Sequence, residues 1–433
     1  MPDQVMNFDA GNPLTRLGMI LVLCLAVVGA WFAIRAYAGN TVAEYLAGDD
    51  GGIDTSKRAV LLAPRDPYAH WRLGTILQRR LPADQIGIAL AEYEKAVSLS
   101  PNDYRYWMDL GTALESAGDS EKGERALRRA LELAPSYAYP HWYLGNLLLR
   151  TGRYPEAFEE LRRASESEET FRPQLFNSAY GVYKDDTETL KSAVGNDPAM
   201  RAGFAHYLIG LKKYDDGVML WKTLSEKDRR INREEGEAVV AALIEAKHYH
   251  QAADISNDLV SGPAYAAVKG KFIDGTFEDN TAHQTGADFG WEVTSSQQAQ
   301  VGIDPSAGHE SQRSLRILFQ VRSKLDVIDV SQLVVIEPNT QYDLEFYIKT
   351  QKIDGADTPE VAIVDAADGT ALGRSTAAPT GTSDWQRVTL NFKAGAKTEA
   401  VILKFIRASC GADDLCPIFG TVWYDDFTLK PRA

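Results

Sequence analysis

The chain changes hydrophobic rhythm three times. From Leu17 to Ile34 there is no alternation: LGMILVLCLAVVGAWFAI carries no charge, with Arg16 before it and Arg35 after. At 1.5 Å rise per residue this run crosses a bilayer core with little tilt. Trp31 and Tyr37 stand near its far end, where aromatic rings favour the headgroup region. From Asp66 the apolar residues recur at helical spacing, strongly to Ala164 and more weakly over Ala202–Leu224 and Gly236–Leu259. Beyond a Gly-Pro boundary the pattern switches to strict alternation in SLRILFQV, YDLEFYIKT, WQRVTLNFKA and AVILKFIRAS, separated by turn-rich segments such as PSAGHESQ and DAADGTALG. The pattern predicts a multidomain chain. Residues 1–40 form a tail and one transmembrane helix (about 17–37). Residues 41–262 form an all-α solenoid of helical hairpins, degenerate after about 165, and residues 268–433 an all-β sandwich.

The helical stretch repeats itself. HWRLG at His70–Gly74 returns as HWYLG at His141–Gly145, with YWMDLG at Tyr106–Gly111 between them. Ala96, Ala130 and Ala164 are 34 residues apart, as are Pro101 and Pro135, while Ala59 and Pro64 look like a preceding half-unit. Small residues let paired helices approach closely, and the prolines end each second helix. This spacing resembles the tetratricopeptide family, a 34-residue helix–turn–helix repeat. Gly74, Gly111 and Gly145 match its first helices, Gly118 and Gly152 its turns, and Ala89 and Ala157 its second helices; Gly123 stands where a third alanine is expected. The resemblance implies five or six hairpins ending near Leu259, whose first helices line a concave groove for a partner protein. The groove positions are Tyr68, Trp71, Thr75 and Gln78, then Arg105, Met108, Thr112 and Glu115, then Tyr139, Trp142, Asn146 and Arg150. Trp71 and Trp142 fall one position later than the usual core tryptophan, which Trp107 matches. They either face the groove as anchors or pack on the next repeat.

The alternating region contains DGTFE at Asp274–Glu278, Gly290-Trp291, VSQLVVIEPNTQYDLEFYIKT at Val330–Thr350, DWQRVTLNF at Asp384–Phe392 and VWYDDFTL at Val422–Leu429. In this order they resemble the jelly-roll carbohydrate-binding modules, or galactose-binding-like domains, over essentially all of 268–433. The resemblance implies a structural calcium ion held by Glu278 with Asp425 or Asp426, hard oxygen ligands that suit it; the alternative is ordinary surface acids. No cofactor is required otherwise. Sugar-binding modules stack exposed aromatics on pyranose rings. Trp291 and Trp385 match framework positions and are expected in the core, whereas Tyr347 has the parity of the opposite face and is the candidate glycan contact.

Composition narrows the function. Hydrophobic content of 45% with 24% charged residues is globular, and the net charge of -14 is spread over both halves of the chain, with no basic stripe. Nucleic acid is not expected as a partner. There is no GxSxG, HExxH, phosphate-cradling loop or metal-spaced cysteine set. His248 and His250 flank Tyr249 too closely for a helical metal pair, and Asp425 and Asp426, adjacent on a strand, are expected on opposite faces. No enzyme is predicted. The weak excess of charge at Arg16 and the amino terminus points to an N-inside anchor. Cys410 and Cys416 in CGADDLC form either a short-loop disulfide of an oxidising compartment or two free thiols. A cleaved leader is the rival reading of the apolar run, given Ala36-Tyr37-Ala38, but the run is long and its start barely basic. Together these features predict a single-pass protein of a bacterial inner membrane, its amino terminus cytoplasmic and its bulk periplasmic. It would act as an envelope scaffold binding a partner protein and a glycan or protein, as an accessory to polysaccharide assembly or export. The rivals are a structural subunit of a larger membrane complex without sugar binding, and a cryptic carbohydrate-active enzyme.

Overall fold

The computed structural model describes residues 12–46, 52–80, 82, 85–184, 186–260, 262, 265–279, 289–294, 299–320, 322–323, 328–355, 357–407 and 416–432. Its contacts divide the chain into two compact units, Met1–Gly195 and Asn196–Ala433. Cys410 and the side chain of Cys416, the expected disulfide, lie outside the described residues.

The first unit opens with α1, Pro13–Thr41, started by Pro13 at its first turn and by the Asn12 side chain, which accepts from the Leu14 N–H at 2.9 Å. Its apolar side chains are exposed along the whole stretch, and it is long and apolar enough to cross a membrane. The helix does not stop where the apolar run does. It continues through Gly39 into a π-helical turn, Val42–Leu46, and packs there on α2, Ile53–Leu62. A Cβ on Gly39 would come within 2.5 Å of the Ala63 Cβ, so only glycine allows this approach. Ala43, Ala59 and Ala69 fill the seam. The half-unit marked by Ala59 and Pro64 therefore has a first helix, and that helix is the end of α1.

Three full hairpins follow: α3 (Pro67–Arg80) with α4 (Ile86–Leu99), α5 (Tyr104–Ser116) with α6 (Ser120–Leu133), and α7 (Ala138–Arg150) with α8 (Tyr154–Ser167). A 3₁₀ turn, Glu169–Phe171, leads to α9 (Arg172–Tyr183) and α10 (Thr187–Val194). Gly118 and Gly152 turn the chain with φ of 86° and 77°. One bond recurs at each first helix. Four residues before the glycine stand His70, Trp107 and His141, and each meets the carbonyl of the proline six residues earlier: Pro64 at 3.2 Å, Pro101 at 2.8 Å and Pro135 at 3.0 Å. The proline that ends one repeat is thus the acceptor that seats the next.

The second unit holds α11 (Pro198–Gly210), α12 (Tyr214–Lys222), α13 (Glu226–Ile231), α14 (Arg233–Glu245) and α15 (Tyr249–Leu259), followed by an antiparallel sandwich. Its strands are β1 (Trp291–Thr294), β2 (Ala299–Asp304), β3 (Ser314–Phe319), β4 (Arg322–Ser323), β5 (Asp329–Val335), β6 (Gln341–Gly355), β7 (Glu360–Asp365), β8 (Ala371–Arg374), β9 (Gly381–Lys393), β10 (Ala400–Ile406) and β11 (Cys416–Pro431). One sheet runs β1-β5-β10-β7-β8 and the other β2-β3-β11-β6-β9, with β4 paired to β11. Alternation decides what each strand buries: Leu344, Phe346 and Ile348 of β6 and Leu390 and Phe392 of β9 meet Val361, Ile363, Leu403 and Phe405 of the other sheet. Trp291 is in this core, as expected, against Phe277 and Phe427. The HYH triplet serves packing. Tyr249 donates its hydroxyl to the Ala366 carbonyl at 2.8 Å, His250 Nε2 bonds the Ile336 carbonyl at 2.8 Å, and His248 lies on Tyr214. These bonds join α15 to the sandwich.

Candidate functional site

Two surfaces emerge, one in each unit. In the first, α5 and α7 stand side by side as first helices of adjacent repeats. Between them opens a cavity of about 550 Å³ bordered by Thr112, Glu115, Trp142, Asn146 and Arg150, five of the twelve groove positions expected from the repeat register. Arg150 spans the two helices, its Nη2 on Glu115 Oε2 at 2.6 Å. Asn146, which borders the cavity, donates to the Trp142 carbonyl at 2.9 Å, and this fixes its amide. Trp142 answers both alternatives open in the sequence. It borders the cavity, and its ring stacks on Phe171 of the 3₁₀ turn at 4.3 Å and 7°. Tyr139 meets the same Phe171 edge-on at 5.4 Å.

The remaining groove positions make contacts within the array. Trp71 lies between Tyr68 and Tyr106 and donates its indole N–H to Asp109 at 2.6 Å. Thr75 donates to the Trp71 carbonyl, and Gln78 accepts from the buried Tyr93 hydroxyl at 2.8 Å. Met108 packs on the cluster of Leu127, Leu144 and Leu147, and Arg105 is held by Asp103, the N-cap of its own helix. Asp109, Tyr143 and Gln174 escaped sequence reasoning. Tyr143 and Gln174 border the cavity. Burial pushes the Asp109 carboxyl up, opposed by the Trp71 N–H and by Arg79. Burial and then Asp109 push the Tyr143 phenol up. A usable signal existed: Asp109 and Tyr143 share one register position, two before the repeat glycine.

On the sandwich, Tyr347 faces away from the core, as its parity predicts, and it is not alone. His309, from the loop between β2 and β3, stacks on Tyr347 at 3.7 Å and 16°, and lies edge-on to Trp385 at 5.7 Å. Trp385 is therefore not a core residue, contrary to its expected framework place. It is partly exposed on β9, with Lys349 Nζ 6.0 Å from its ring centroid. Along β9 it has the parity of Arg387 and Thr389, opposite to that of Leu390 and Phe392, so alternation could have found it.

The carboxylates behave differently from expectation. A bulge between Asp425 and Thr428, with Asp426 at φ 54°, breaks the strand alternation. Asp425 and Asp426 consequently do not diverge to opposite faces. Asp425 Oδ2 accepts the His309 N–H at 2.8 Å and Asp426 Oδ2 meets His309 Nδ1 at 2.7 Å. Glu278 accepts the N–H groups of Gln312 and Arg313 at 3.0 and 2.7 Å. The three acids expected as a calcium set thus grip one loop, 309–313, from two sides. Among the described residues no three His, Cys, Asp or Glu side chains are arranged to hold a metal ion. Burial pushes Asp425 up to about 6, against the stabilising N–H of His309.

Comparison with known proteins agrees with both architectures. Residues 80–138 and 108–168 match the tetratricopeptide repeat model, and residues 269–409 match a carbohydrate binding domain. The chain is 24% identical over 127 residues to the small glutamine-rich tetratricopeptide repeat-containing protein 2 of Mycosarcoma maydis, covering 29% of this chain and 36% of that protein. It is 30% identical over 99 residues to the peroxisomal targeting signal receptor of Kluyveromyces lactis, covering 23% of this chain and 17% of that one. The chain thus spans about a third or less of the length of these curated relatives. Among solved structures, MamA of Desulfovibrio magneticus RS-1 aligns at 16% identity and a TM-score of 0.32, covering 37% of this chain and 90% of that one.

Proposed function

We propose that this protein is a membrane-held, non-catalytic adaptor whose groove takes an extended segment of a partner protein and whose sandwich receives a saccharide. The observation that carries the proposal is the cavity between α5 and α7. Five positions counted from the sequence border one opening, which has an aromatic wall at Trp142, a fixed amide at Asn146 and an ion pair at its rim. A flat, half-buried tryptophan beside an immobilised amide suits a peptide backbone with one large side chain. The saccharide reading is supported by the matched carbohydrate-binding domain together with the partly exposed Trp385 on β9, beside which His309 covers the Tyr347 ring. Sugar rings stack on such aromatic faces through their C–H edges. The length of the apolar helix supports a membrane span by α1, and its place in a bacterial inner membrane with the bulk of the chain exported belongs to the same proposal. A role beside polysaccharide assembly or export would join the two binding surfaces.

One paired experiment tests the reading. The full chain, Trp142→Ala and Trp385→Ala are each used to capture partners from membranes and to probe a glycan array. Trp142→Ala should lose a stoichiometric protein partner and keep glycan binding, and Trp385→Ala should do the reverse, each by roughly ten-fold or more. A tight partner with no glycan bound by the unaltered chain would favour a plain structural subunit. Measurable glycan turnover would overturn the non-catalytic assignment.

A further inference from the structure

The junction of α1 with the first hairpin has no linker. Arg35, the first charge after the apolar run, donates to the Leu61 carbonyl at the end of α2, and Asn40 donates to Asp66 at 3.2 Å. The turn from Leu61 to Asp66 is thereby level with residues 35–40 of α1. Only about 5 Å of helix rise lies between Ile34, where the apolar run ends, and Tyr37. Arg35 also sits over the Trp31 ring at 5.3 Å, a cation and an aromatic at the height where both favour an interface.

What this turn presents is informative. Ser56, Ala59 and Ala63 are buried toward the array, while Lys57, Arg58, Leu61, Pro64 and Arg65 point outward and are exposed, Leu61 at 68%. Arg58 and Leu61, three residues apart, share one face of α2, and Arg65 follows in the turn after the helix C-cap at Ala63. Neither arginine makes an ion pair with a described residue. Of the nearby acids, Asp66 is occupied by Asn40 and the Tyr68 N–H, and Asp54 lies at the opposite end of α2.

We propose that the Leu61–Arg65 turn is a second membrane contact, resting on an anionic phospholipid surface beside α1. Leu61 enters the boundary between headgroups and acyl chains, and Arg58 and Arg65 take lipid phosphates. The proposal rests on α1 spanning a bilayer, which supplies the occupant: a turn pinned at the height of Arg35 meets the headgroup layer of the same membrane. Basic residues near such a surface are drawn to anionic lipid, and an apolar side chain between them adds burial.

The test uses the full chain in nanodiscs of phosphatidylethanolamine and phosphatidylglycerol. A photoreactive p-benzoylphenylalanine is placed in turn at positions 21, 61 and 45, and lipid adducts are read by intact mass. Tyr45 lies beyond the junction, away from the apolar run, and serves as the background. Adducts are expected at 21 and 61 and not at 45, and the yield at 61 should fall roughly five-fold or more with Arg58→Gln and Arg65→Gln together. Adducts at 21 with only background at 61 would overturn the contact while leaving the span intact. A yield at 61 indifferent to the two arginines would overturn the phosphate recognition. Absence of adducts at 21 would remove the span itself, and the proposal with it.

Discussion

His141 shows how one side chain can seat a repeat and make its stability depend on pH. Its Nε2 meets the Pro135 carbonyl, so the ring donates there, while Nδ1 faces the Glu160 carboxylate. Two acceptors on one imidazole favour its doubly protonated form. The Glu160 hydrogen bond accordingly raises the His141 pKa, against the opposing effect of burial. A raised folded-state pKa means stabilisation that is complete below about 6.5, the unfolded value, and lost as pH rises through the folded value. Glu160→Gln should therefore cost about 1–3 kcal/mol near pH 5.5 and distinctly less near pH 9, measured by urea unfolding at both. A cost independent of pH would show that the ring is neutral throughout. At this scale the sequence is unevenly legible. The repeat register shows His141 to be part of the scaffold, whereas at Trp385 the motif points to the core and the strand parity points outward. The convergence of Asp425 and Asp426 on His309 was beyond reach, because a bulge is set by the surrounding packing and not by the two residues it displaces.

At the level of elements, the repeat glycines carry the packing. Gly123 stands where the repeat pattern expects alanine, and its partner is the reason. A Cβ there would lie 2.9 Å from the Gly111 carbonyl oxygen and 3.3 Å from the Glu115 nitrogen, both backbone atoms of the facing helix. Helix propensity alone favours alanine over glycine by about 1 kcal/mol. Backbone of a packed helix moves only at the expense of its whole interface, so the clash should win. Gly123→Ala is expected to destabilise the array by roughly 1–2 kcal/mol in denaturant unfolding, whereas a gain near 1 kcal/mol would mean α5 and α6 can separate freely. Hairpins α3–α8 were legible because glycine, alanine and proline recur in register. Hairpins after α8 keep only hydrophobic spacing, and α13 has no counterpart in the repeat, so their boundaries could not be counted from the sequence.

For the whole molecule, the division into compact units falls inside the helical region, at Gly195, and not where helix gives way to strand. Composition marks the change from helices to strands clearly, yet it carries no information about which helices a sheet will cover. The last hairpin belongs with the sandwich because Tyr249 and His250 supply bonds to the Ala366 and Ile336 carbonyls. Such bonds contribute roughly 0.5–1.5 kcal/mol each. Native-state hydrogen exchange on the full chain should find α14 and α15 protected together with β5 and β10. Tyr249→Phe with His250→Ala should speed their exchange roughly ten-fold and leave α5–α8 unchanged. Uniform acceleration across both units would refute the division.

The direct run of α1 into the first hairpin has a consequence for how a partner is met. A flexible tether of n residues lets a domain search a sphere of about 5–6 Å × √n, and gives its binding site a tunable local concentration of targets. Here that sphere has no radius. Held in a bilayer by α1, the groove would wait at one height and one tilt, unable to reach toward a target. It would select partners by where they present a segment above the membrane as much as by what the segment is.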